Sequence, residues 1–524
     1  MNCCNFAKDK MNSPHYKKLN APLYEQLKKY ASELNRFHMP AHSGVQIDAF
    51  RNIANVANYN PCSKNSVGSF DENRVGRFDE NRVGRFDENR KLSISYETEN
   101  NIKAKVENDD RDTNRENSLF ASAPFDITEL SFSDNLNCPN GVIAEAESLM
   151  AKAYNSKASL FFTAGATSAI FTALGAIRTT TNKIALDFFS HKSIFSACRF
   201  FGFEITIIKR NFDSEGLPLP LSQSAILEAY SRTPDLGAIV VTSPDYFGNA
   251  LVIEAISKTV HAKKSLLMVD EAHGAHFAFS SLLPTPAIRF ADLVVDSSHK
   301  TLPVYTGGAV LNINCDLIAE CRLYRANLHT SSPSYVTLAS LDYARALFKS
   351  EGEARYIELK NELRKLKAEH SNYVFKDDGN SLHDFSRLVI NVDIKELENL
   401  KVYADMSWGR WSVFICTPFN IDRLFALSTA LSKLNPQSIV DDDFDLSGLD
   451  FPAKLLPQNA NMKTEFIKLE DSLGRISAVD VGCYPPGTPI LFAGEEISAS
   501  KLYFLQQHKN SIFNLVRNKI CVII

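Results

Sequence analysis

Residues 265–276 read SLLMVDEAHGAH, a short apolar run that ends in a carboxylate and passes into a loop carrying two histidines. A run of this length, bounded by polar residues, reads as a fully buried strand. The same texture recurs outward along the chain, in DLVVDS (292–297), AIVVTS (238–243), KIALDFF (183–189) and SLFF (159–162). Between these runs lie helical patterns such as SAIFTALGAI (168–177) and SAILEAYSR (224–232). Near-continuous apolar strands alternating with helices specify an α/β fold, a mainly parallel sheet covered on both faces. Helices resume at 351–369, and RLVINVDIK (387–395) and SVFICTP (412–418) open a smaller α+β region. The expected organisation is an N-terminal helix and segment (1–61), an insertion (62–117), a large domain (118–375) and a C-terminal α+β domain (376–524).

Composition excludes several classes. The chain has 524 residues and a net charge of -4 from 57 basic and 61 acidic side chains, so it lacks the electrostatic footprint of a nucleic-acid binder. Its 44% hydrophobic and 23% charged content is that of a globular chain, not a disordered or collagen-like one. No stretch of about 18 apolar residues would span a bilayer, and Lys8, Asp9 and Lys10 break any signal-peptide core. Ten cysteines with no CxxC pair read as reduced thiols in the cytosol rather than as a disulfide framework.

Near the N-terminus, Leu23, Leu27, Tyr30, Ala31 and Leu34 fall at helical spacing. Further on, VGSFDENR (67–74) recurs as VGRFDENR at 75–82 and 83–90; eleven of these 24 positions are charged, with no period that builds a buried face. An eight-residue period is far below the roughly 20–50 residues of solenoid units. Residues 62–117 therefore read as a solvated, disordered insertion. Trypsin is expected to cut first after Arg74, Arg82 or Arg90, and deletion of 67–90 to leave the folded domain intact, since closure entropy grows only logarithmically with loop length. A deletion that abolishes dimerisation or activity would make the octads a structural or regulatory element.

Four features at strand ends carry candidate chemistry. SSHKTL (297–302) follows the strand DLVV and puts Lys300 beside His299 at its exit, where partial burial frees an amine to attack a carbonyl. Asp270 ends the strand SLLMVD, where a buried carboxylate pairs with a protonated heterocyclic nitrogen. TAGATS (163–168) opens a helix with small residues, a turn whose free N–H groups suit a phosphate. His191, in SHKS (190–193), is placed to stack on a planar ligand or to act as an acid or base. Each lies at the C-terminal end of an expected parallel strand, the edge at which such sheets bind ligands.

Two competing readings start from DEAHGAH (270–276). A metal site would draw on Glu271, His273 and His276, but the HExxH spacing is absent. A helicase would need a GxxxxGK[ST] loop, and the chain contains no Gly-Lys dipeptide. The four features together point instead to pyridoxal phosphate (PLP), whose marks are a Schiff-base lysine and a carboxylate partner for the pyridinium nitrogen.

At these residues the chain resembles the Orn/Lys/Arg decarboxylases. The resemblance also takes in FHMPAHSG (37–44), DITEL (126–130), DNLNCPNGVI (134–143), FFTAGATS (161–168), SSHKTLPVYTGGAVL (297–311), TSSPSY (330–335) and YPPGTP (484–489). It implies the PLP-dependent transferase-like fold (fold type I) and a homodimer acting on arginine, lysine or ornithine in polyamine biosynthesis. It further implies that Lys300 carries the cofactor with His299 and His273 beside it, that Asp270 holds the ring nitrogen and that His191 stacks on the ring. Ala164, Gly165, Ala166 and Ser297 would contact the phosphate, with Ser331 supplied across the dimer interface. Where the family pattern has PGHK, this chain has Pro40-Ala41-His42-Ser43, and Asn137 replaces a usual histidine. The chain resembles the shorter members, without an N-terminal wing domain. An aminotransferase or another lyase would use the same cofactor residues, and a weakened regulatory paralogue is the other alternative.

Overall fold

The structure is a computed structural model and describes residues 20–31, 125–215, 217–376, 382–437, 446, 449, 452, 454–455, 462–483 and 487–524. Apart from Ala31, Phe125 and Asp126, the described residues belong to one compact unit. The octad insertion and the 36–44 segment lie outside the described residues, as do 484–486 of the YPPGTP motif.

In chain order, helix α1 (Pro22–Ala31) precedes α2 (Val142–Tyr154), and strand β1 (Ala158–Phe162) then leads into α3 (Gly165–Arg178). Next come β2 (Lys183–Asp187), α4 (Lys192–Phe200), β3 (Glu204–Ile208), α5 (Gln223–Arg232), β4 (Ala238–Thr242), α6 (Ile253–Ala262) and β5 (Leu266–Asp270). The large domain continues through β6 (Leu293–Asp296), the one-turn α7 (Ser298–Thr301), β7 (Ala309–Ile313), α8 (Ile318–Leu328) and the 35-residue α9 (Tyr335–Glu369). Strands β8 (Arg387–Ile390), β9 (Met406–Trp408) and β10 (Trp411–Ile415) form a small antiparallel sheet in the order β8-β10-β9. Further antiparallel pairs close the C-terminal region, Thr464–Lys468 with Lys519–Ile523 and Val481–Cys483 with Thr488–Leu491. Among the described residues no helix is long and apolar enough to cross a membrane.

The large sheet runs β1-β7-β6-β5-β4-β2-β3 and ends on β11 (Lys454–Leu455). Strands β6, β5, β4, β2 and β3 are mutually parallel. Their interior residues, such as Leu186, Val240, Val269 and Val295, are fully buried, as a doubly covered sheet demands. Each such side chain contributes roughly 1.5–3 kcal/mol of burial. The order reverses at β2 and β4: the chain leaves β2 for the outer strand β3 and returns on the other side to β4.

Strand β1 corrects an expectation. It pairs antiparallel with β7, which is itself antiparallel to β6. Two reversals give β1 the direction of β6, so its C-terminal end still reaches the same edge as the ends of β2, β4, β5 and β6. Strand β7 begins at that edge, and Gly307 makes the closeness possible. With φ +95°, its carbonyl accepts the Gly165 N–H at 2.7 Å, and a Cβ there would stand 2.6 Å from the Thr163 carbonyl oxygen.

Other differences have local causes. The run RLVINVDIK is a strand only to Ile390, because the Asp393 carboxylate caps the amides of Lys395 and Glu396 and starts a helix there. The helix expected from 351 begins at Tyr335, where the Ser334 hydroxyl accepts the Thr337 N–H. Two family-like motifs meet ahead of α2. Asp134, with φ +66°, gathers the amides of Asn135, Asn140, Gly141, Ile143 and Ala144 ahead of α2, and its carbonyl accepts the Tyr335 hydroxyl.

Candidate active site

The strand ends at the shared edge enclose a cavity of about 210 Å³ whose walls include Lys300, Asp270, His191, His273, His299 and Ser297. Lys300 arrives on the single turn of α7 directly after β6, and its Nζ lies 3.0 Å from His273 Nε2. Burial pulls the Lys300 amine below its ordinary range, Asp270 opposes this, and the Arg387 charge adds to it. Asp270 ends β5 and is 3% exposed, and its Oδ1 accepts the Ala272 N–H at 3.2 Å. Burial raises its pKa while the Lys300 charge opposes. A buried carboxylate with one hydrogen bond fits a cationic ring nitrogen, which would repay its desolvation.

His191 is the N-cap of α4: its Nδ1 accepts the Ser193 N–H, which leaves the ring hydrogen on Nε2. Burial first, then the Lys300 and Lys192 charges, bring its pKa down to about 4. The imidazole is therefore neutral at physiological pH, as a ring stacked on an aromatic cofactor should be. His299 Nδ1 donates to the Gly308 carbonyl at 3.1 Å. His273 is neutral as well, its pKa lowered by burial and by the charges of Lys300 and Arg387.

At the other end of the cavity stands the first turn of α3, whose N-cap Ala164 provides no side-chain cap. Gly165 N–H is taken by Gly307, so the amides of Ala166 and Thr167, both at the cavity wall, are the ones this turn presents to an anion. Thr242 Oγ1, buried at the end of β4 and also on the wall, has no hydrogen-bond partner. A carboxylate for a cationic nitrogen, a neutral ring, an amine and an amide turn form a donor set that fits PLP.

The structure redistributes some candidates. Ala164 is off the cavity wall and Thr167 takes its place. Ser331 is exposed and lies outside this chain's cavity, and Asn137 sits in the loop before α2. The histidines and Glu271 of DEAHGAH diverge: Glu271 accepts the Ala287 N–H, while His276 Nε2 faces Ser386 Oγ at 3.1 Å and Asp384 Oδ2 at 3.2 Å. Among the described residues no group of three His, Cys, Asp or Glu side chains is placed to hold a metal. Sequence reasoning missed Thr242, Tyr246 and Arg387. Thr242 ends β4 and Tyr246 follows it at the ligand edge, and Arg387 is a charged residue opening an otherwise apolar strand.

Near Asp270 a pair of carboxyl groups is buried. Glu271 and Asp296 are 1% and 0% exposed, and Glu271 Oε2 and Asp296 Oδ1 have no hydrogen-bond partner. Burial first and the Asp296 charge second raise Glu271 well above the carboxylate range, while burial and Asp270 do the same to Asp296. The folded chain thus keeps a proton that the unfolded chain releases, and stability falls as pH rises above the unfolded pKa, by up to about 1.4 kcal/mol per pH unit for one proton. Glu271→Gln should match the parent near pH 5 in thermal melts and exceed it increasingly toward pH 9. A deficit that is constant with pH would contradict this.

Comparison with known proteins agrees with the geometry. Residues 117–412, more than half of the chain, match the family model "Orn/Lys/Arg decarboxylase, major domain", and 451–513 match its C-terminal domain. An arginine decarboxylase of Bacillus subtilis (strain 168) is 28% identical over 412 residues, covering 72% of this chain and 84% of that one. The uncharacterized protein YaaO of the same organism is 29% identical over 416 residues, covering 73% and 85%. Lysine decarboxylase A from Pseudomonas aeruginosa shares the fold, with a TM-score of 0.65 at 16% identity over 76% of this chain and 74% of that one. With its PLP-type sheet edge and a family match across both domains, the chain belongs to the Orn/Lys/Arg decarboxylases, PLP-dependent enzymes that convert basic amino acids to amines and CO2.

Proposed function

We propose that Lys300 holds PLP covalently through its aldehyde, and that the chain decarboxylates a basic amino acid, arginine first among arginine, lysine and ornithine. The observation that carries this is the convergence of Lys300, Asp270 and His191 on one cavity at the strand-end edge. The choice of arginine draws on relatives from several bacilli that are named arginine decarboxylase.

When bound, PLP supplies the electron sink that takes up the pair released as the carboxylate departs. The chain's residues make that sink effective and control the protons. Asp270, desolvated at the end of β5, would keep a proton on the ring nitrogen. Neutral His191 would lie against the ring without adding a charge that repels the pyridinium. The amides of Ala166 and Thr167, with Ser297, would hold the phosphate. A proton then replaces CO2 on Cα, and Lys300, which would gain one from the substrate ammonium when the substrate amine displaces it, would be the donor. The product is the amine with one carboxylate fewer. His299, tied to the Gly308 carbonyl, keeps the Lys300 turn in register with β7.

We further place the enzyme in the cytoplasm, as a homodimer in which Ser331 of one protomer reaches its partner's phosphate, with the amine feeding polyamine synthesis. Free thiols at Cys138, Cys198, Cys315, Cys321, Cys416, Cys483 and Cys521 support a reducing compartment. The test is direct: purified protein with PLP is given arginine, lysine and ornithine in turn, and CO2 and amine are measured. Equimolar CO2 and amine from one of them supports the reading. Keto acid without CO2 would replace it with an aminotransferase.

A further inference from the structure

At the back of the cavity His273 stands between two basic groups. Arg387 Nη2 lies 3.0 Å from its Nδ1, and Lys300 Nζ lies 3.0 Å from its Nε2. A guanidinium only donates, so the Nδ1 that it meets carries no proton and the ring hydrogen sits on Nε2. That N–H needs an acceptor, and an ammonium has none. The contact at Lys300 is therefore made by the neutral amine.

We propose that Arg387 is a positioning residue that locks the tautomer of His273 and, through it, holds Lys300 as an uncharged nucleophile. This rests on Lys300 being the lysine that takes the cofactor. The fold commits considerable structure to the arrangement. Arg387 is 2% exposed, and its N–H is fixed by the Asp384 carbonyl at 2.9 Å. Asp384 Oδ1 accepts the Ser386 N–H at 2.9 Å and its hydroxyl at 2.6 Å, which sets the turn that delivers Arg387. Across from it Gly248, at φ +95°, leaves room: a Cβ there would stand 2.7 Å from the Arg387 Cβ. Arg387 Nε and Nη1 have no hydrogen-bond partner, so the contact of Nη2 with His273 is the hydrogen bond that its guanidinium makes among the described residues.

The groups facing Lys300 pull in both directions. Asp270 from β5 and Asp405 ahead of β9 favour the ammonium; burial and the Arg387 charge oppose it, with His191, His273 and His299 completing the surround. With two carboxylates drawing toward the charged form, a tautomer that accepts no ammonium hydrogen settles the balance.

The test uses the full chain freed of cofactor. PLP is added across about pH 6 to 9, and covalent capture is followed by visible absorbance. In that step Nζ bonds to the aldehyde carbon and one water leaves. Borohydride and peptide mapping then identify the lysine captured. Arg387→Met should raise the pH midpoint of capture by about one unit and slow it roughly tenfold at pH 7. Arg387→Lys, which keeps both the donor and the charge, should stay near the parent, and Arg387→Gln, which keeps an N–H donor without the charge, should shift clearly less than Met. Equal shifts in the Gln and Met variants, or none in Met, overturn the proposal. Independently, ¹⁵N-histidine spectra of the unaltered chain, with His273 identified by its loss in His273→Gln, should show a protonated Nε2 and a bare Nδ1. A proton on Nδ1 overturns the proposal. Capture at another lysine would instead remove Lys300 from its role and leave the tautomer result standing.

Discussion

Lys300→Ala will lower CO2 release from the preferred basic amino acid by at least ~10³-fold, the scale on which removing a nucleophile collapses a catalytic unit. The reason is local. Lys300 is the amine of the cavity, lying 3.0 Å from His273 and within the field of Asp270. The alanine variant keeps Asp270, His191 and the amides of Ala166 and Thr167, so it should still take up PLP without a covalent link, and its fold should survive. Equilibrium dialysis of the cofactor beside a CO2 assay separates the two effects. Activity within tenfold of the parent would mean that another group does the work of Lys300.

Asp270→Ala should leave PLP binding largely intact and cut kcat on the order of 10²-fold or more, as removal of a preorganised electrostatic group does. Asp270→Asn should do nearly the same, because an amide fills the space but cannot hold a proton on the ring nitrogen. The Asn variant matters for interpretation: Asp270 is 3% exposed, and the isostere keeps the packing and the bond to the Ala272 N–H. If the Asn variant were unimpaired, Asp270 would be only a strand-end carboxylate.

The large sheet was legible because its strands are buried on both faces, so SLLMVD and DLVVDS are nearly continuous apolar runs. The site was legible for a related reason. Strands of one direction end at one edge, so Asp270, His191 and Lys300 could be placed together from their positions at strand ends alone. The antiparallel insertion of β7 beside β1 was not legible, because an apolar run specifies burial and not the direction of its neighbour. Arg387 was hidden for a different reason: its partner His273 is 114 residues away, and only the turn at Asp384 and the space left at Gly248 bring them together. The motif at 134–143 has a local role that its residue types do suggest: the Asp134 carboxylate gathers the amides ahead of α2.

Reduction of the holoprotein shows directly whether Lys300 is the residue that carries PLP. The purified holoprotein is reduced with borohydride, digested and mapped by mass. A single pyridoxyl-modified peptide containing Lys300 is expected, with the modification lost in Lys300→Ala. A pyridoxyl group found on any other lysine would contradict it.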